Sequence, residues 1–181
     1  MNGLEKIHKR IHLFKDFLFL LLVVLLIIQF IACKSKVPSS SMEPTIMPED
    51  RIVFNRIGAY YREPKRGEVV IFEEDRKQLI KRLIGLPGET IDLIDGKVYI
   101  DGVELIETGY LGGEVITLPM YDPRYESIRY PYTVPEDSYF FMGDNRSNSL
   151  DSRVFGGIKK EAVIAIGAYR IYPFNTIGEI K

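Results

Sequence analysis

Hydrophobic and polar positions divide the chain into two regimes. From Phe17 to Cys33 it reads FLFLLLVVLLIIQFIAC, with Gln29 the one polar residue. The run is apolar on every side, which argues against a core or surface helix with one apolar stripe. Its length is near the lower limit for crossing a bilayer as a helix. Leu13 and Phe14 extend it upstream, and Lys15 and Lys34 can snorkel to the interface. The pattern therefore predicts a transmembrane helix over 13–33, after a short tail of residues 1–12.

Beyond Lys34 the pattern changes to short β-type runs separated by turn signals. Ile52-Val53-Phe54, Glu68 to Phe72 and Gln78 to Ile84 are three of them, the last ended by Gly85-Leu86-Pro87-Gly88. Thr90 to Ile94 and Lys97 to Asp101 flank Asp95-Gly96, a strong two-residue hairpin signal, and Asp101-Gly102 repeats it. Ser138 to Met142 and Val163 to Tyr172 complete the set. No long amphipathic helix is predicted here, only a small one around 151–155 or 159–162. The stretch 104–136 is rich in Tyr, Pro and Gly and weakly patterned; it reads as an inserted hairpin or loop. Residues 34–181 are thus predicted to form one mostly β domain.

Charge and composition narrow the function. With 24 Lys and Arg against 25 Asp and Glu in 181 residues, there is no basic excess for nucleic acid, and the apolar content argues against disorder. The charges near the span are asymmetric. Lys6, Lys9, Arg10 and Lys15 precede it against Glu5 and Asp16, whereas Lys34 and Lys36 follow it. The basic excess puts the N-terminus in the cytoplasm and residues 34–181 outside it. A cleavable secretory peptide has a similar layout but a shorter core and a small-x-small site, which is not clear here. Phe30-Ile31-Ala32-Cys33 partly resembles a lipoprotein processing site.

Cys33 is the sole cysteine, so no disulfide within the chain and no zinc-binding cysteine cluster can form. His8 and His12 both precede the span. A Ser-His-Asp triad, a Cys-His dyad and a histidine-ligated metal are therefore excluded from residues 34–181. A hydrolase built there needs another base.

Three segments offer chemistry. Pro38-Ser39-Ser40-Ser41-Met42-Glu43-Pro44-Thr45 reads as a linker by composition, yet a serine nucleophile also needs an exposed turn. In the run Gln78 to Ile84, strand alternation sets Leu79, Lys81 and Leu83 on one face and Ile80, Arg82 and Ile84 on the other. Either face could be buried, so one cation is forced among apolar neighbours. Arginine does not deprotonate in proteins, whereas a buried lysine shifts readily. Lys81 is thus the candidate base, against the ordinary reading of a solvated lysine. Gly143 to Arg153 is dense in short polar side chains and carries two Asp and two Arg, by itself a turn braced by ion pairs.

Taken together, Pro-Ser-x-Ser-Met-x-Pro-Thr, Lys-Arg-x-Ile-Gly-x-Pro-Gly-Glu and Gly-Asp-Asn-Arg-x-Asn-Ser-x-Asp-Ser-Arg resemble the type I signal peptidases, in the right order. Arg66-Gly67-Glu68-Val69-Val70-Ile71-Phe72 resembles a fourth segment of that family, with Glu68 where Asp is frequent. The resemblance covers nearly all of 37–157 and the preceding anchor. It implies a signal-peptidase-like, repressor-protease-like β domain of antiparallel sheets behind one transmembrane helix. It implies Ser41 as nucleophile, Lys81 as general base, Ser39 as a hydroxyl assisting the Ser41 N–H at the oxyanion, and Ser149 as the hydroxyl orienting the lysine. Asp144, Arg146, Asp151 and Arg153 match a supporting polar network, and Met42 a substrate pocket. Ser40 departs from a common glycine and Ser147 from a common aspartate.

The activity so implied is removal of signal peptides from secretory preproteins after Ala-x-Ala sites, at a bacterial plasma membrane, with lipid as a partner and with no metal, cofactor or nucleic acid. Ser41 lies about eight residues beyond Cys33, within about 26–29 Å of the membrane even if extended. A repressor-type self-cleaving protein would need a DNA-binding domain before the serine, and a β-lactamase needs Ser-x-x-Lys. A non-catalytic membrane-anchored β module predicts Ser41 and Lys81 far apart or both exposed.

Overall fold

The computed structural model describes residues 3–36, 39–113 and 115–180, with the backbone alone for 3–7 and 26–36. The strands are β1 (Ala32–Lys36), β2 (Arg51–Asn55), β3 (Val69–Glu74), β4 (Lys77–Gly85), β5 (Thr90–Ile94) and β6 (Lys97–Ile100). They continue as β7 (Val103–Glu104), β8 (Tyr132–Thr133), β9 (Ser138–Met142), β10 (Ile158–Lys159), β11 (Val163–Tyr172) and β12 (Gly178–Glu179). The α-helices are α1 (Gly3–Ile31), α2 (Gly58–Tyr61), α3 (Thr108–Leu111) and α4 (Ser152–Phe155).

The expected mostly β, antiparallel architecture is what the chain adopts. The larger sheet runs β1-β2-β11-β3-β4-β9-β10 with β12 on β11, and the smaller runs β7-β6-β5-β8. β3 shows why the larger sheet has two covered faces. Its Val-Val-Ile-Phe start has no polar alternation, as a strand buried on both sides requires. Val69 and Ile71 join one apolar cluster with Phe54 and Ala168, while Val70 and Phe72 join another with Leu83 and Phe141. A third cluster, with Ile84, Ile91, Val98 and Phe140, draws on strands of both sheets.

Turn chemistry sets the hairpins. Asp95 and Gly96 both take positive φ, 50° and 78°, the primed turn whose twist matches the strands. The β3–β4 hairpin uses Asp75 and Arg76, at φ 47° and 60°. Without a glycine that turn was invisible in the sequence. The strands therefore run further than expected, to a Glu74–Lys77 pair.

The N-terminal region needs correction. α1 starts at Gly3, inside the expected tail, and Ala32 and Cys33, expected in the span, open β1. Ala32 pairs with Asn55 of β2. No helix among the described residues is long and apolar enough to cross a membrane. Residues 26–33 of the expected span have side chains outside the described residues. The stretch 104–136 is more than a loop: it carries α3 and ends in β8, which pairs with β5.

Candidate active site

Lys81 occupies the middle of β4, paired to Val70 of β3, with the neighbouring Arg82 opposite Met142 of β9. Alternation could not say which of the two cations is buried because both are: Lys81 is 3 % exposed and Arg82 0 %. Their partners differ. The Lys81 Nζ donates to Ser41 Oγ at 2.6 Å across 40 residues of sequence. Burial pushes the Lys81 ammonium down to about 8; Asp151 and Asp144 oppose that, and Arg153 adds to it. Arg82 makes charge-assisted bonds instead, from Nε and Nη2 to Asp144 at 2.8 and 2.6 Å, and from Nη1 to the Gly67 carbonyl at 2.6 Å.

Ser41 sits half-buried in a turn held from three sides. Below it, Met42 is 1 % exposed and packs with Ile46, Ile52 and Phe54. This corrects the expectation that Met42 lines a substrate pocket: its side chain anchors the turn in the core. Beside it, the Asn145 N–H donates to the Ser41 carbonyl at 3.0 Å, and Asn145 Nδ2 to the Ser40 carbonyl at 3.1 Å. The Ser40 hydroxyl, where glycine is common in the family, accepts from Asn148 Nδ2 at 2.9 Å, and Ser40 is not among the left-handed residues. The turn does not require a glycine there. Ser39 Oγ lies 3.2 Å from Ser41 Oγ.

The polar segment 143–153 folds against this turn. Asp151 caps α4, accepting from the Arg153 N–H at 3.1 Å and from the Gly143 N–H at 2.9 Å. Its carboxylate also takes the Arg153 Nε and Nη2, each at 2.9 Å. Arg146 donates through Nε to the Gly143 carbonyl at 3.0 Å, and through its other nitrogens to Thr117 and Glu107. Ser147 turns back to Asn145 Oδ1 at 3.1 Å. Gly143 is required by close approach: a Cβ there would stand 2.1 Å from Ser149 Oγ and 2.5 Å from the Ser41 carbonyl. The Ser149 Oγ is buried and has no hydrogen-bond partner among the described residues, and the Lys81 bond goes to Ser41.

The serine turn, Lys81 and the 143–153 segment thus meet, with the Lys81–Ser41 bond between the first two and the Asn145 and Asn148 bonds joining the first and the last. Sequence reasoning missed Arg82, set aside because it cannot be a base, and Glu107, Tyr110 and Thr117, which lie in the weakly patterned stretch. Gly143, Asn145 and Asn148 were visible only as members of a motif. A cavity of about 170 Å³ near Leu105 and Leu111 is lined by neither Ser41 nor Lys81, so chemistry rather than depth marks this site.

A buried lysine amine against a serine hydroxyl, held in a β framework, is the arrangement of a base-activated serine hydrolase. The family model of signal peptidase, peptidase S26, matches residues 10–172. Signal peptidase I of Leptolyngbya laminosa is 35% identical over 161 residues, 83% of this chain and 74% of that protein. Signal peptidase I of Bacillus amyloliquefaciens is 33% identical over 168 residues, 92% and 90% of the two chains. A crystal structure of a signal peptidase I from Enterococcus faecalis V583 shares 38% identity over 58% of this chain and 97% of its own, at a TM-score of 0.48, too loose a superposition to bear on the fold. The chain belongs to the signal peptidase family, peptidase S26, and is a serine peptidase of the signal peptidase I kind.

Proposed function

We propose that this peptidase is membrane-anchored and removes signal peptides from secretory preproteins through a Ser41–Lys81 acyl-enzyme, cutting after Ala-x-Ala. The observation that carries the reading is the 2.6 Å contact between a lysine buried to 3 % exposure and a half-buried serine hydroxyl. With its affinity for protons lowered, Lys81 is neutral in a usable fraction at neutral pH. The neutral amine takes the Ser41 proton as Oγ attacks the scissile carbonyl. The Ser41 N–H and Ser39 Oγ stabilise the oxyanion. Lys81 then protonates the leaving amine, activates water and releases the acid product. The scheme needs neither metal nor cofactor.

Once Ser41 is esterified, Lys81 loses its hydrogen-bond partner. The unpartnered Ser149 Oγ, beside the Ser41 main chain, is the group we assign to hold the amine then. Asp144, Arg146, Asp151 and Arg153 keep the supporting turn in register, and Met42 fixes the nucleophile from below.

The anchor is the apolar helix. Phe14, Phe17, Phe19 and Leu22 are all exposed, so this part of its apolar surface is uncovered among the described residues, as lipid contact would require. Residues 1–12 form the cytoplasmic tail, the apolar helix from 13 to 31 the anchor, and the β domain, which β1 opens at Ala32, lies outside a bacterial plasma membrane. Detergent-solubilised wild type, Ser41→Ala and Lys81→Ala are compared on a preprotein with an Ala-x-Ala site, with cuts mapped by mass spectrometry. Cleavage after the second alanine, lost in both variants, is the expected result. Cleavage surviving Lys81→Ala would remove Lys81 as base, and cleavage elsewhere would remove the specificity.

A further inference from the structure

Three buried arginines around the site, Arg82, Arg146 and Arg153, each take at least one partner from the same stretch of chain, 107–118. Glu107 accepts from both terminal nitrogens of Arg146, one of them at 2.8 Å, and Thr117 Oγ1 accepts from Arg146 at 2.6 Å. The Tyr110 ring covers the Arg82 guanidinium, with 4.1 Å from Cζ to the ring centroid. The Leu118 carbonyl accepts from Arg153 at 3.2 Å. Two of these contacts are joined, because the Tyr110 hydroxyl donates to Glu107 Oε1 at 2.6 Å. α3 is also tied to the nucleophile segment, through Thr45 Oγ1 donating to the Tyr110 carbonyl at 3.3 Å.

We infer that Glu107 and Tyr110 are positioning residues for the Ser41–Lys81 pair, clamping Arg146 and Arg82 so that the 143–146 turn stays locked on the nucleophile. The inference rests on the dyad reading above. Arg146 and Arg82 touch that turn directly, at the Gly143 carbonyl and at Asp144, and Asn145 of the same turn holds the Ser41 carbonyl.

Charge accounting explains why a carboxylate is needed at 107. Arg82 pairs with Asp144, Arg153 with Asp151 and Arg146 with Glu107. Lys81 then has a hydroxyl as its hydrogen-bond partner and faces Asp144, Asp151 and Arg153 at longer range. Without Glu107, the buried Arg146 would compete for Asp144, whose charge already acts on it. The net charge near Lys81 would become more positive, which favours the neutral amine.

The test follows kcat and KM against pH for the full chain in detergent, on the Ala-x-Ala preprotein. Glu107→Gln is expected to lower kcat about tenfold with KM near wild type, and to move the acid limb about half a unit towards lower pH. Glu107→Asp, which keeps the charge, should keep the wild-type limb while kcat falls. A loss that is equal at every pH, or that lies in KM alone, would overturn the clamp. Should Glu107→Gln fail to fold, Tyr110→Phe keeps the ring over Arg82 and drops only the phenol–carboxylate bond. A roughly threefold kcat loss at constant KM supports the clamp, and an unchanged kcat refutes it. Ser41→Ala and Lys81→Ala run alongside. If they stay active, the dyad reading fails; if they are dead while the Glu107→Gln limb is unmoved, the clamp alone fails.

Discussion

Lys81 is a candidate catalytic group that works against folding, and Lys81→Met separates its two effects. Burial holds the amine at about 8 in the folded protein, against about 10.4 in an unfolded chain. At about 1.36 kcal/mol per pH unit, that gap corresponds to about 3 kcal/mol. The sign follows from proton binding. Between about 8 and 10.4 the unfolded chain holds more protons than the folded one, so stability rises with pH there. Below pH 8 the burial of the cation costs folding the full amount, and above about 10.4 nothing. Methionine fills a similar volume without a charge. Lys81→Met should therefore be inactive yet more stable, by about 3 kcal/mol at pH 7 and by nearly nothing at pH 10.5. Urea unfolding of wild type and variant in the same micelles, read from the 11 tyrosines in a chain without tryptophan, measures the difference. Subtracting the two curves removes the titration of every other group. A variant less stable than wild type at pH 7, or a stability gap that stays flat from pH 7 to 10.5, would refute the argument.

Other perturbations read other parts of the structure. Gly143→Ala should cut kcat/KM at least about 100-fold, because its Cβ would fall 2.1 Å from Ser149 Oγ and push the turn off Ser41; steady-state kinetics decides it. Asp144→Ala leaves Arg82 fully buried without its carboxylate, both side chains being 0 % exposed, and should destabilise by about 3–5 kcal/mol in urea unfolding. Arg76→Gly relieves a left-handed residue at φ 60° and should stabilise by about 0.5–1 kcal/mol with activity unchanged. Unfolding and preprotein cleavage on that variant check both halves.

Legibility tracked locality. Asp95-Gly96 announced its hairpin because the dipeptide itself prefers the left-handed pair of conformations. Asp75-Arg76 adopts the same kind of turn with no residue that prefers it, so strand pairing on either side imposes it. Ser41 and Lys81 were legible as members of ordered motifs, whereas Glu107 and Tyr110 were not. Their importance comes from facing Arg146 and Arg82, which lie 39 and 28 residues away in the sequence.

The sequence by itself determined where the central strands and the Asp95-Gly96 turn would form, that no histidine was available beyond residue 12, and which serine and lysine carried the family pattern. Those are properties of residue type, period and order along the chain. Only the tertiary structure decided that both faces of β4 are buried from Lys81 onward, that Met42 is a core anchor, and that Glu107 neutralises Arg146. Alternation sends Lys81 and Arg82 to opposite sides of a strand, but it carries no information about what covers each side. That depends on long-range packing, and packing gave Arg82 a carboxylate and Lys81 a hydroxyl.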